Sequence, residues 1–157
     1  MTWVIPMTTA TAQAPAPKVP LEHASIHNWL EDFAAAVRGV DYDAGRELFD
    51  PDAVGFGTFA RMAVGRENLI EAQWRKIWGC TRGFRFLSTE AVIQVEGDTA
   101  WIATPWHSEG RDEHGRWFDR HGRTTLILRR RDGRWLCVHS HYSRVPTPNM
   151  NGAATPA

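Results

Sequence analysis

The order of elements along this sequence predicts an α+β fold, with helices laid on one face of an antiparallel sheet. Three observations carry that reading. Up to about residue 79 the apolar residues recur with helical spacing, and after it they alternate with a period near two. Four β segments then follow with no helix between them, and helices followed by a long meander define α+β rather than α/β. Finally, Asp132-Gly133 sits between two apolar stretches, the strongest hairpin signal in the chain, because a type I′ turn needs positive φ at both central residues.

Taken in order, residues 1–20 are an Ala/Pro/Thr-rich leader expected to be disordered, and residues 147–157 form a tail of the same kind, leaving one domain over 21–146. In "SIHNWLEDFAAAVRGV" Ser25 is the expected N-cap, and Ile26, Trp29, Leu30, Phe33 and Val37 share one helical face. A short helix starts from Asp41 in "DYDAGRELF". "AVGFGTFARMAVG" reads as a strand, a tight turn and a short return strand. "RENLIEAQWRKIWG" gives a third helix with an inner stripe of Leu69, Ile70, Trp74, Ile77 and Trp78. The β segments are expected at 84–96, 99–110, 117–130 and 135–144, broken by "EGD", "RDEHGR" and "RDGR".

Alternation assigns faces. Ile102, Thr104, Trp106 and Ser108 oppose Trp101, Ala103, Pro105 and His107. Gly122, Thr124, Leu126 and Leu128 oppose Arg123, Thr125, Ile127 and Arg129. On the last strand, Leu136, Val138, Ser140 and Tyr142 oppose Trp135, Cys137, His139, His141 and Ser143. Neither face is cleanly polar. One is therefore expected to meet the helices and the other, carrying Trp101, Ile127, Trp135 and Cys137, to be covered by a second copy of the chain.

Composition removes several classes of function. Eighteen basic residues balance eighteen acidic ones, which argues against binding nucleic acid. No apolar run approaches the ~20 residues of a membrane span, so the expected setting is the cytoplasm. Cys80 and Cys137 form neither a disulfide framework nor a zinc pattern. Eight Trp among 157 residues suit an aromatic core or an apolar pocket.

The stretch "RTTLILRRRDGRWLCVHSHYSRVP", with "GVDYDAGRELFDPDAVGFG" and "AVGRENLIEAQWRKIW" at matching spacing, resembles the nuclear transport factor 2-like superfamily. Within it the likeness is to SnoaL-like domains and to the association domain of calcium/calmodulin-dependent protein kinase II. The resemblance covers about residues 25–146. It implies a cone: a curved antiparallel (mixed) sheet whose concave face is closed by three helices from the N-terminal side around a pocket. It also implies that the concave face is the one carrying Ser140 and Tyr142. Ketosteroid-isomerase relatives place an aspartate base just after the "DPDA"-like stretch, where this chain has Gly57 or Thr58. Kinase association domains line the pocket with arginines at positions that here read Trp106, Leu126 and Tyr142.

The expected pocket comprises Phe33, Phe56, Trp74, Trp78, Trp106, Ser108, Thr124, Leu126, Ser140 and Tyr142, an apolar lining with a few hydroxyls. Tyr142 is the leading catalytic candidate, as a donor to a developing oxyanion. His139-x-His141, even with His107 or His121, reads as hydrogen-bonding architecture rather than a metal site, and Cys137 as a small apolar residue. Glu90 is expected at an edge or facing solvent. The function expected is binding of an apolar small molecule without a cofactor, extending to isomerase, cyclase or lyase chemistry. The alternative is a non-catalytic dimerisation and ligand-binding module.

Overall fold

Helix α1 (Leu21–Gly39) opens the computed structural model, which describes residues 21–145. The leader and tail expected at the two ends lie outside the described residues. The α1 stripe of Ile26, Trp29, Leu30, Phe33 and Val37 is buried as the spacing predicts. Ser25 is not its cap. The helix begins four residues earlier, where Leu, Glu, His and Ala sustain a helical turn, and Glu22 favours the first turn through the helix dipole. Ser25 Oγ instead donates to the Glu22 carbonyl (2.7 Å) and accepts from Trp135 Nε1 (3.0 Å).

Helix α2 (Tyr42–Glu47) is capped by Asp41, whose carboxylate accepts from the Ala44 N–H at 3.0 Å. Strand β1 (Phe49–Phe56) turns back into the two-residue β2 (Ala63–Val64), pairing Val54 with Val64. The third helix, residues 66–80, changes pitch along its length. It runs as an α-turn, a π-turn over Ile70–Trp74, a second α-turn and a closing 3₁₀ turn over Trp78–Cys80.

Strands β3 (Thr81–Phe86) and β4 (Val92–Glu96) replace the single strand expected over 84–96. Both run along the same edge of β5 (Thr99–Arg111), and a 3₁₀ turn at Ser88–Glu90 separates them. A single strand could not make both pairings, because Phe86 pairs with Trp106 and Val92 with Ala103, leaving residues 87–91 opposite only 104–105. Glu90 lies in that turn and is exposed. Strands β6 (Trp117–Arg131) and β7 (Arg134–Arg144) complete the meander through Asp132 (φ 49°) and Gly133 (φ 77°), both left-handed as the turn requires.

The seven strands form one curved, unclosed sheet in the order β2-β1-β7-β6-β5-β3, with β4 also on β5. It is mixed because β1 runs parallel to β7. The helices cover its concave face, where Ile102, Leu126 and Leu128 are fully buried. The face assignments of β5 and β6 hold. That of β7 does not, because a bulge interrupts it. Ile127 pairs with His139 and Leu128 with Cys137, which leaves Val138 without a partner and flips the alternation. Trp135 and Cys137 therefore join Ser140 on the covered face. The outer apolar patch is correspondingly different. It keeps Trp101 (44% exposed) and half-buried Ile127, and gains Phe56 (36%) and Val92. No described helix is long and apolar enough to cross a membrane.

Candidate functional site

A cavity opens between the third helix, α1 and the concave face. Its deep basin holds about 60 Å³. Helix α1 contributes Phe33 and Val37, and the third helix contributes Gln73, Trp74, Ile77 and Trp78. The sheet adds Thr81 and Phe84 from β3, Trp106 and Ser108 from β5, Arg120 from β6 and Tyr142 from β7. An outer basin of about 150 Å³ shares Thr58, Trp106 and Arg120 with it and adds Phe59, Cys80, Arg111, Phe118 and Arg144.

The aromatic wall is fixed by ring-on-ring packing. Trp74 and Trp78 stack at 4.6 Å, and Phe33 meets them edge-on at 5.7 and 5.8 Å. On the sheet side, Trp106 lies 5.9 Å from Phe84 and donates Nε1–H to the Arg123 carbonyl at 3.3 Å. Its ring packs against Gly122, where an added Cβ would fall 2.0 Å from Trp106 Cε2. Any side chain at 122 would evict the indole.

Against this apolar wall stand three buried polar atoms with no hydrogen-bond partner among the described residues: Ser108 Oγ, Tyr142 Oη and Arg120 Nε. Thr124 sits opposite Tyr142 in the β6–β7 ladder, but its hydroxyl is committed to the His141 carbonyl at 2.8 Å. Burial holds the Tyr142 pKa well above the ordinary phenol value, with nearby Cys137 adding to the shift and the Thr124 hydroxyl opposing it. At neutral pH Tyr142 is thus an un-ionised donor. Arg120 is 7% exposed and gives one guanidinium nitrogen to Thr81 Oγ1 (2.5 Å) and to the Glu109 carbonyl (3.3 Å). Burial lowers its pKa, Cys80 opposes that shift and Arg144 reinforces it.

Gln73 closes the mouth. Its carboxamide oxygen accepts from the Phe59 and Ala60 N–H groups at 3.1 and 2.9 Å, and its nitrogen lies 3.4 Å from the Thr58 hydroxyl. At Gly57 a Cβ would fall 2.2 Å from Gln73 Cδ, so no carboxylate side chain fits there while Gln73 holds the turn.

The model of the SnoaL-like domain matches residues 26–148. The chain belongs to the SnoaL-like domain family. Solved structures agree on the fold. A nuclear transport factor 2-like superfamily protein from Salmonella enterica serovar Typhimurium superposes with a TM-score of 0.71 at 18% identity, covering 86% of this chain and 96% of its own. A ketosteroid isomerase-like protein from Erwinia carotovora gives 0.69 at 19% identity, covering 82% and 100%. The association domain of C. elegans CaMKII gives 0.63 at 18% identity, covering 78% and 95%. No curated relative matches the chain by sequence.

In this SnoaL-like domain, six of the pocket residues expected from sequence line the cavity: Phe33, Trp74, Trp78, Trp106, Ser108 and Tyr142. The other four lie elsewhere. Leu126 is fully buried in the core, Thr124 is tied to its neighbouring strand, and Ser140 packs beside Gly55. Phe56 is on the outer face, edge-on to His139 (5.4 Å) and His141 (5.5 Å). Sequence reasoning missed Arg120 and Gln73, though each left a trace. Arg120 has the parity of Gly122 and Thr124, two residues beyond where the alternation was read, and Gln73 falls on the helical stripe three residues after Ile70. Among the described residues no group of three or more His, Cys, Asp or Glu side chains could hold a metal ion. His107 pairs with Asp119 at 3.1 Å, and burial pushes the Cys137 thiol far above its ordinary pKa.

Proposed function

We propose that this SnoaL-like domain binds a small, largely apolar molecule carrying a carbonyl or hydroxyl group. One observation supports the reading above others: Ser108 and Tyr142, whose buried hydroxyls have no partner among the described residues, line one aromatic cavity. A buried polar atom left unpaired costs roughly 1–3 kcal/mol, which a ligand oxygen placed between the two would recover. Isomerase, cyclase or lyase chemistry would use Tyr142 as a neutral donor to an oxyanion. It would also need a base, and among the described residues no Asp, Glu or His lines either basin. Binding is therefore the reading adopted, in a cytoplasmic setting and without a cofactor.

Acetophenone is a suitable probe, because it pairs a ring with one carbonyl. It should quench the tryptophan fluorescence, and Tyr142→Phe should weaken it several-fold while leaving ethylbenzene unaffected. Equal loss for both probes would remove Tyr142 from its assigned role. A module that assembles through its sheet is a compatible second reading. It is favoured by the exposed Phe56, Val92 and Trp101 on the outer face, and by the name "association domain" borne by one structural relative.

A further inference from the structure

Arg120 sits where the two basins meet, more than nine-tenths buried, and its Nε has no partner among the described residues. Buried arginines are ordinarily neutralised by a carboxylate. Among the described residues none is paired with Arg120. No Asp or Glu lines either basin, and the residues outside the described range, 1–20 and 146–157, contain neither. The adjacent Glu109 lends Arg120 only its carbonyl, while its carboxylate is held by Arg82 at 2.8 and 2.9 Å. Two more arginines, Arg111 and Arg144, line the outer basin, and neither forms an ion pair among the described residues. They lie instead over the rings of Trp117 and Phe118.

The position is also built for that guanidinium. Gly110 lies diagonal to it on β5, one pair beyond Ser108 on the same face, and a Cβ there would meet Arg120 Nε, Cδ and Cζ at 2.7–2.9 Å. Thr81 anchors the far side of the head group and itself donates to the Ile77 carbonyl at 2.6 Å. Arg120 occupies none of the three positions, Trp106, Leu126 and Tyr142, that correspond to the arginines of kinase association domains.

We propose that the cavity is an anion site, taking a small aromatic or aliphatic carboxylic acid whose carboxylate engages Arg120. The deep basin, at about 60 Å³, accepts only a few carbon atoms. The outer basin, at about 150 Å³, is about the size that holds one benzene ring. A short acid straddling the junction uses both. This rests on reading the cavity as a ligand site.

Phenylacetate and its uncharged isostere phenylacetamide separate the two ideas. In the full chain, tryptophan quenching should give phenylacetate at least about tenfold tighter binding than the amide, the usual difference when a hydrogen bond gains a full charge. Arg120→Met should erase that preference and leave amide binding in place. Equal binding of acid and amide, or a preference surviving in Arg120→Met, overturns the anion site and leaves the apolar pocket standing. Failure of both probes to bind overturns both readings. A measurement on the unaltered chain guards against a variant that does not fold. Cys80 lines the outer basin and Cys137 is buried, so alkylation reports on Cys80 alone. Iodoacetate, relative to iodoacetamide, should react several-fold faster at Cys80 than the same ratio measured with glutathione. A ratio no higher than glutathione's counts against the anion site.

Discussion

Tyr142 shows how a single side chain can be dispensable for folding and informative about chemistry. Its hydroxyl has no partner among the described residues, so Tyr142→Phe removes a desolvated group and should leave the melting temperature at neutral pH unchanged or slightly raised. The same variant should alter the alkaline limb of stability. Burial raises the Tyr142 pKa, so above about pH 10 the unfolded chain has released a proton that the native state still holds. Stability therefore falls as pH rises through that range, and Cys137, whose pKa is also raised by burial, adds a fall that begins nearer pH 9. Denaturant titrations between pH 8 and 11 should show a shallower decline in Tyr142→Phe than in the parent. Identical slopes would mean that the phenol is not buried in solution.

At the scale of elements, the pocket is shaped by what the backbone leaves out. Gly122 carries the Trp106 indole, and its added Cβ would also press to 2.5 Å from the Ser143 carbonyl of the neighbouring strand, which cannot move aside alone. Gly122→Ala should thus cost ~1–3 kcal/mol by overpacking, read from the midpoint of urea unfolding, and should shift the tryptophan emission. An unchanged midpoint would show that β6 and β7 part easily there. Elements of this kind were only partly legible in the sequence. Helix α1, the hairpin at Asp132-Gly133 and the faces of β5 and β6 follow from periodicity, because each obeys one repeat from end to end, whereas the π and 3₁₀ turns of the third helix left no mark in its spacing. The β7 faces could not be read that way. A bulge at Val138 changes the alternation without changing composition, and nothing in "WLCVHSHYS" marks which residue is extra. Likewise the break at Ser88–Glu90 shows only in the register of β3 and β4 on β5, a long-range pairing. Arg120 escaped notice for a related reason: charge normally marks a solvated position, and only the sheet reveals that this one is covered.

At the scale of the whole molecule, one sheet face carries no cover among the described residues. Across the outer surface Val92, Ala103, Thr125, His141 and Phe56 form a continuous cross-strand row from β4 to β1. Trp101, Ile127, His139 and Val54 form the next. With a second copy on that face, light scattering should give twice the 17.8 kDa chain mass, and Trp101→Glu should return the monomer. A parent that is monomeric at tens of micromolar would dismiss this pairing. The parallel contact between β1 and β7 has a consequence of another kind, for biosynthesis. The ladder joins Phe49–Phe56 to a strand synthesised nearly ninety residues later. On the ribosome, β1 and the three helices therefore emerge with their apolar faces open and must wait for nearly the last described residue before the sheet accepts them. The aromatic cavity therefore forms only once β7 has been made, and until then the tryptophans that line it stand open on the nascent chain, where a chaperone would cover them.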